Sequence, residues 1–578
     1  MASLRLDAEA ALRTFSNACP RWSPDRRSLL FRSNRDGNWA AYVSSWRALD
    51  LPPDPVSPRD SAIVDATFSR DGGHVLLLDA VAGPRLQARL HVVSLDGHPV
   101  HSVELDPFHA GTFWMPRWVR SSVLLDTWHA DTGEARLLAI EGAASRVAVR
   151  FDHRGRIADV DATGRKVLVV EQEDSGTSVL REIALDGSAN TLVYGHNEAW
   201  GELTAAAYAP YADAVLVAVQ DAGSISRLVR VSLPRAERRV ALEATERPGR
   251  IDQVLVSAHG SALALALDVA SHTEMLLLDA VTFRARGSFS LPLGVGRLGA
   301  FSVDGKVLTF SWETAESPGE LFETTVQHVR VRRLRDEAHP SLAALEGVTA
   351  QEVPVELPTA GGDHAKLFRP RLASGAPPLP VVVRVSEPQE DTRVRWRPEM
   401  RHLVSQRVAV LEAPTGLRTL PGAPKRDQTS AWRIAGALGQ WATQQPWAMS
   451  DAVTVALDGV DAQTLCPLGD LVPWRGIALT YGARIERRSG APWGDRSAPP
   501  SLCGAPRRVA FWVYQGRCDE RWPRTYTDAV VQRLRAEGCS VEYVVQDVCA
   551  SGAEATAAEV DRLARFALFV DRLRPSSP

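Results

Sequence analysis

The sequence predicts a seven-bladed β-propeller followed by a doubly wound, mostly parallel α/β domain. Three observations carry that prediction. A turn-and-strand unit recurs through the first 330 residues, and beyond it the pattern changes to apolar strands alternating with helices. The length of 578 residues is also too great for a single core. These place an N-terminal segment at 1–20, a propeller at 21–330, a connection at 331–380 and the α/β domain at 381–578.

The repeat is clearest at Pro20-Arg-Trp-Ser-Pro-Asp-Arg-Arg-Ser-Leu-Leu-Phe31, an aromatic residue, a Ser-x-Asp turn and an apolar strand, closed by a second turn at Asp36-Gly37. Further copies carry Phe68-Ser-Arg-Asp-Gly, Trp118, Val160-Asp-Ala-Thr-Gly, Tyr208, Val256-Ser-Ala-His-Gly and Phe301-Ser-Val-Asp-Gly. The seven anchors, from position 22 to position 301, lie 42 to 50 residues apart. That is the period of a four-stranded blade, which cannot bury both faces alone and is satisfied only in a closed ring. Trp22, Phe68, Trp118 and Phe301 are expected in the core, and the Asp-Gly pairs are turn chemistry.

In the second half, Val353-Pro-Val-Glu-Leu357 and His364-Ala-Lys-Leu-Phe-Arg-Pro370 read as a hairpin. Short continuous apolar runs at 381–385, 408–411, 453–457, 509–514 and 541–545 read as buried parallel strands. Helical stretches at 398–406, 432–445, 527–537 and 553–573 lie among them.

Composition narrows the function. Hydrophobic residues make up 45% and charged residues 23%, ordinary values for a soluble globular protein. A formal net charge of −3 and a pI near 6.6 give no reason to expect nucleic acid or an anionic membrane as a partner. No secretory pattern opens the chain and no apolar run approaches a membrane span. The six cysteines show no C-x-x-C spacing and read as reduced thiols, so a cytoplasmic location is expected. No metal-site spacing and no cofactor motif is present, and a homo-oligomer is compatible with the composition.

The stretch Asp451-Ala-Val-Thr-Val-Ala-Leu-Asp-Gly-Val-Asp461 is a buried strand running into a tight turn, the place where a parallel-sheet serine hydrolase carries its G-x-S-x-G elbow. Around it, Pro378-Leu-Pro-Val-Val-Val-Arg-Val385, Trp396-Arg-Pro-Glu-Met-Arg-His402 and Tyr514-Gln-Gly-Arg-Cys-Asp-Glu-Arg-Trp522 complete a pattern. It resembles the prolyl oligopeptidase family, in particular its acylaminoacyl-peptidase-like branch. The resemblance covers nearly the whole chain and implies an α/β-hydrolase domain beneath the propeller. It assigns the triad acid to Asp519, the nucleophile position to Gly459 (or Val460 with a one-residue slip) and the oxyanion loop to Ser386-Glu387-Pro388.

The departures fall on the chemistry. Neither Gly459 nor Val460 carries a nucleophilic atom, and Glu387 is an anion where a developing oxyanion would need a donor. The loop corresponding to the triad histidine reads Asp547-Val-Cys-Ala-Ser-Gly552, and no histidine follows His402. Asp519 then has no imidazole to orient. Among rival nucleophiles, Cys466, Cys518 and Cys549 have only His364 and His402 in the same domain as prospective bases. Asp458, Asp461, Asp519 and Glu387 could converge for acid/base work or stand as solvated loop carboxylates.

The expectation is therefore a pseudoenzyme with Ser386, Glu387, Asp458, Val460 and Arg517 around the former active site. Its partner would be a peptide-like or acyl ligand, or another protein. A repurposed enzyme using pocket carboxylates, or a residual peptidase or esterase, are the alternatives.

Overall fold

The computed structural model spans the chain and is described at residues 2–58, 61–81, 87–104, 117–119, 122–128, 135–141, 144–151, 154–172, 178–195, 202–210, 213–220, 226–233, 238–244, 249–269, 272–289, 291–337, 339, 348–356, 364–386, 397–414, 429–458, 472, 474–481, 509–516, 524–546 and 553–575. Seven four-stranded antiparallel sheets occupy 17–55, 63–104, 117–151, 154–194, 202–244, 250–288 and 294–333, each with its strands in sequential order. These are the blades of a seven-bladed β-propeller.

The repeated turn closes the first hairpin of a blade, and its chemistry explains its recurrence. In blade 1 the Ser23 hydroxyl donates to Asp25 at 2.6 Å and accepts the Ser28 amide at 2.9 Å. Ser69 with Asp71 and His74, and Ser302 with Asp304 and Val307, repeat the arrangement at 2.6 and 3.0 Å. The third residue after the serine turns left-handed, with φ of 75° at Gly72, 63° at Gly260 and 64° at Gly305. Glycine adopts that region without a Cβ clash. In blade 1 the place is held by Arg26, at φ 58°.

The first strand of six blades carries a register slip at a corresponding point, for example between Ile63 and Asp65, Ile157 and Asp159, and Ile251 and Gln253. A bulge re-aims the side chain beside it, and here it aims polar groups at the neighbouring blade. Asp159 accepts the Tyr208 amide at 2.9 Å, Gln253 accepts the Leu298 amide at 2.9 Å, and Asp65 meets Arg21 at 3.3 Å. No strand is shared between the first and last blades. Their seam is closed by Asn17 N–H to the Gly319 carbonyl at 2.6 Å, the Thr309 hydroxyl to the Pro20 carbonyl at 2.6 Å, and Trp22 Nε1 to Glu323 at 3.0 Å.

The incoming and outgoing chain segments are fastened together at that seam. Glu337 is bonded by Arg335 at 2.7 Å, by Arg35 at 2.9 Å and by Asn17 at 2.7 Å. The Arg35 guanidinium also lies over the rings of Phe15 and Tyr42.

The second unit is an eight-stranded sheet built from β1 (Val348–Pro354), β2 (His364–Pro370), β3 (Leu379–Ser386), β4 (Ala409–Pro414), β5 (Ala448–Asp458), β6 (Trp474–Tyr481), β7 (Ala510–Gly516) and β8 (Ser540–Gln546). The order across the sheet is β1-β2-β4-β3-β5-β6-β7-β8; β1, β2 and β4 pair antiparallel and every other neighbouring pair is parallel. The hairpin expected from sequence is β1–β2. The segment 331–380 is thus more than a connection: residues 331–333 complete blade 7, and β1, β2 and the start of β3 belong to the sheet. Val353, Ala365 and Leu367 pack into one face of the sheet and Val348 and Phe368 into the other, which is what fits the two strands there.

Among the described residues five helices complete the fold: α1 (Ala2–Leu12), α2 (Pro398–Ser405), α3 (Thr429–Thr443), α4 (Arg524–Ala536) and α5 (Ala553–Arg572). Period-two alternation divides each strand between the two faces of the sheet. Val381, Val383, Val385, Val453, Val455 and Leu457 pack with Ile434 and Leu438 of α3 and Val530 and Leu534 of α4. Val382, Val410, Ala456 and Trp512 pack with Met400 and Leu403 of α2 and Phe566 and Phe569 of α5. Gly476 in β6 permits that second layer to close, since a Cβ there would lie 2.4 Å from Leu573. The N-terminal helix α1 docks on this layer and not on the propeller: Leu4 joins its core, Arg5 bonds Asp561 of α5, and Gln406 donates to Asp7 at 3.0 Å.

One propeller carboxylate is out of balance. Asp126, in the second strand of blade 3, is 1% exposed and neither oxygen completes a hydrogen bond among the described residues. Burial pushes its carboxyl up to about 7 in spite of the Arg156 and Arg117 charges. A folded-state value above the unfolded one contributes stability that is full below pH ~4 and is lost as pH rises toward 7. In urea unfolding, wild type should lose up to about 4 kcal/mol relative to Asp126→Asn between pH 4 and pH 8. A constant difference between the two proteins across that range would contradict this.

Candidate ligand site at the carboxyl edge of the sheet

In a doubly wound sheet, ligands lie outside the carboxyl ends of the strands, where successive connections diverge to opposite sides. Here the chain runs from β3 through α2 to β4 on one flank, then through α3 to β5 on the other. The switch point is therefore the β3/β5 junction. The last register pair across it is Ser386 with Asp458, flanked by Pro414 of β4 and Thr480 of β6. Two residues expected from sequence at the former active site are thus brought together. Glu387, Gly459, Val460, Arg517 and Asp519 lie outside the described residues, as do Asp461, Cys466, Cys518 and Cys549.

β3 ends at Ser386, and the next described residue is Arg397, the N-cap of α2. The end of β3 and the start of α2 are held by buried ion pairs. Arg397 Nη1 donates to Glu412 Oε1 of β4 at 2.7 Å, and Arg384 of β3 approaches Glu412 at 3.5 Å and Glu399 of α2 at 3.6 Å. Arg384 and Glu412 are direct register partners, and Glu412 is only 1% exposed. Breaking such a pair from one side leaves an uncompensated buried charge.

The far end of β7 is also fixed. Thr527 of α4 donates to Gln515 Oε1, while Gln515 Nε2 donates to the Gly516 carbonyl at 2.6 Å. The Tyr514 hydroxyl donates to Gln546 of β8, and burial pushes that phenol up to about 12. These contacts fix the end of β7, the last described residue before Arg517 and Asp519 in the sequence being Gly516. Sequence reasoning missed β6 and these anchors. The only sequence signal for β6 is Ile477-Ala-Leu479, a run too short to distinguish strand from loop.

The two histidines considered as bases differ in what can be said of them. His364 opens β2, opposite Pro354. His402 in α2 is fully buried with neither ring nitrogen hydrogen-bonded, and burial lowers it to about 4; the charge it senses is Asp7 of α1. It remains a neutral core ring at ordinary pH. Among the described residues no group of three or more His, Cys, Asp or Glu could hold a metal, and no helix is long and apolar enough to cross a membrane.

Neither a family profile nor a curated protein matches the chain. Solved structures do. Prolyl oligopeptidase B from Galerina marginata, bound to a 35-residue hydrolysis and macrocyclization substrate, superimposes with a TM-score of 0.75 over 99% of this chain and 90% of that one, at 12% identity. A structure from a study of two prolyl endopeptidases and their inter-domain dynamics gives 0.74 over 99% and 91%, also at 12% identity. The chain has the prolyl oligopeptidase fold. The propeller and the hydrolase-type sheet expected from sequence are both present.

Glu412 should be the keystone that joins β3, β4 and the N-cap of α2 in this prolyl-oligopeptidase-like fold. Glu412→Ala is expected to lower unfolding free energy by about 3–5 kcal/mol in urea titration, because Arg397 and Arg384 would lose their shared acceptor. A loss below about 1 kcal/mol would contradict that role.

Proposed function

We propose that this chain is a prolyl-oligopeptidase-like pseudoenzyme, of the acylaminoacyl-peptidase-like branch, holding a peptide-like or acyl ligand at the β3/β5 junction without hydrolysing it. The observation that carries the reading is the pair of positions where the fold would place nucleophile and base. The residue after Asp458 at the tip of β5 is Gly459, and the six residues between β8 and α5, Asp547 to Gly552, include no histidine. A serine hydroxyl is a weak nucleophile without an adjacent base, and here both partners are missing from the sequence at those positions. Ser386, Glu387, Asp458, Val460 and Arg517 are the residues we assign to ligand contact, and Asp519 is a remnant acid without a task.

The test is turnover. Purified protein incubated with chromogenic proline-containing peptides and acyl-amino-acid esters should show no steady-state release that depends on the α/β domain. Steady turnover abolished by substitution at 458–461 would overturn the reading in favour of a residual hydrolase. Turnover of a non-hydrolytic kind abolished by Asp519→Asn or Asp458→Asn, with folding intact, would favour a repurposed acid/base enzyme.

A further inference from the structure

Blade 2 carries a cross-strand array of serine, histidine and aspartate. Its second, third and fourth strands are His74–Val81, Gln87–Ser94 and Pro99–Glu104. Ser102 and His91 are direct register partners, and Asp79 lies diagonally from His91, opposite Arg89. Leu77, opposite His91, packs with Leu30 and Val43, so all three polar residues share the face turned toward blade 1.

The distances order the array from the surface inward. Ser102 is exposed, and its Oγ lies 2.8 Å from His91 Nδ1. His91 is 6% exposed and its Nε2 lies 3.6 Å from Asp79 Oδ2, beyond ordinary hydrogen-bond length. Such contacts often tighten only when substrate is bound. Asp79, 4% exposed, accepts the Ala62 amide at 2.7 Å. Burial raises its carboxyl, but the nearby His91 ring, the Ala62 amide and Ser61 outweigh that and hold it below the usual range. An ionised Asp79 favours the imidazole tautomer with hydrogen on Nε2, which leaves the Nδ1 lone pair to accept the Ser102 hydroxyl. The tautomer is assigned from the bonding pattern.

We propose that Ser102 is an acyl-accepting nucleophile on the propeller rim, with His91 as its general base and Asp79 as the residue that positions the ring. The substrate class is a small activated ester, which an open surface admits. Ser102 Oγ bonds to the acyl carbon as its proton passes to His91 Nδ1. The tetrahedral adduct then expels the leaving alkoxide, which either departs as the anion or recovers that proton as an alcohol, and the acyl group remains as a serine ester. Nothing in this step draws on the β3/β5 junction.

The experiment uses the full chain with p-nitrophenyl acetate and maps acetylated residues by mass spectrometry. Acetyl should appear on Ser102 and be absent there in Ser102→Ala. The rate at Ser102 should fall about a hundredfold in His91→Gln, the scale of a lost general base. Asp79→Asn should slow acetylation at Ser102, and the conservative Asp79→Glu should recover part of the rate, since a carboxylate is what holds the ring's orientation. Folded protein without acetyl at Ser102, or an undiminished rate in His91→Gln, overturns the proposal. If His91→Gln does not fold, the pH profile of the unchanged protein decides: a profile without a titration step also overturns it. Because the labelled residue is mapped, failure at Ser102 is distinct from failure of the reading given to the sheet edge.

Discussion

The pairing of β3 with β5 is the constraint on which the rest of the α/β domain depends. Both strands are buried on both faces, so their register is fixed by valines that cannot be shifted one place without turning the core outward. That register ends with Ser386 opposite Asp458, and so determines what chemistry stands at the switch point. Once those two strands are in place, α2 follows β3 on one flank of the sheet and α3 precedes β5 on the other. The surrounding ion pairs and the Gln515 anchor hold the neighbouring ends but do not choose the residues at the centre.

The propeller meets a different requirement. Blades 1, 2 and 7 are each stabilised by a Ser-x-Asp turn, and neighbouring blades are joined by polar groups set beside the bulges, such as Asp65, Asp159 and Gln253. Because blades 1 and 7 share no strand, ring closure falls to side chains and to the Glu337 cluster that fastens the incoming and outgoing chain together. The helix α1 then reaches past the propeller to pack on α2 and α5, so the two units are tied by both ends of the chain.

Much of this was legible in the sequence for a physical reason. A blade repeats its turn chemistry, so Trp22, Phe68, Tyr208, Val256 and Phe301 recur at spacings that local reading detects. Parallel strands buried on both faces appear as unbroken apolar runs, and five of the eight sheet strands were found that way, with β1 and β2 recognised as a hairpin. The placement of β1 and β2 in the sheet was not legible, because a short hairpin carries no local sign of the sheet it joins. Nor was the Arg397–Glu412–Arg384 cluster, whose members are far apart in sequence and meet only through the strand order. At the sheet edge, the sequence places Ser386 in a loop and Asp458 in a turn, whereas both are the last residues of their strands; Ser102, His91 and Asp79 were overlooked because nothing in a single strand announces a cross-strand array.

The central claim is that the carboxyl edge at β3/β5 receives a peptide-like ligand and leaves it intact. Hydrogen–deuterium exchange of the full chain with a panel of proline-containing and N-acylated peptides tests it most directly, with each peptide weighed afterwards. The account predicts protection concentrated at the ends of β3 and β5, near Ser386 and Asp458, with the bound peptide recovered uncleaved. A cleaved peptide, or protection that avoids those strand ends for every peptide in the panel, would contradict it.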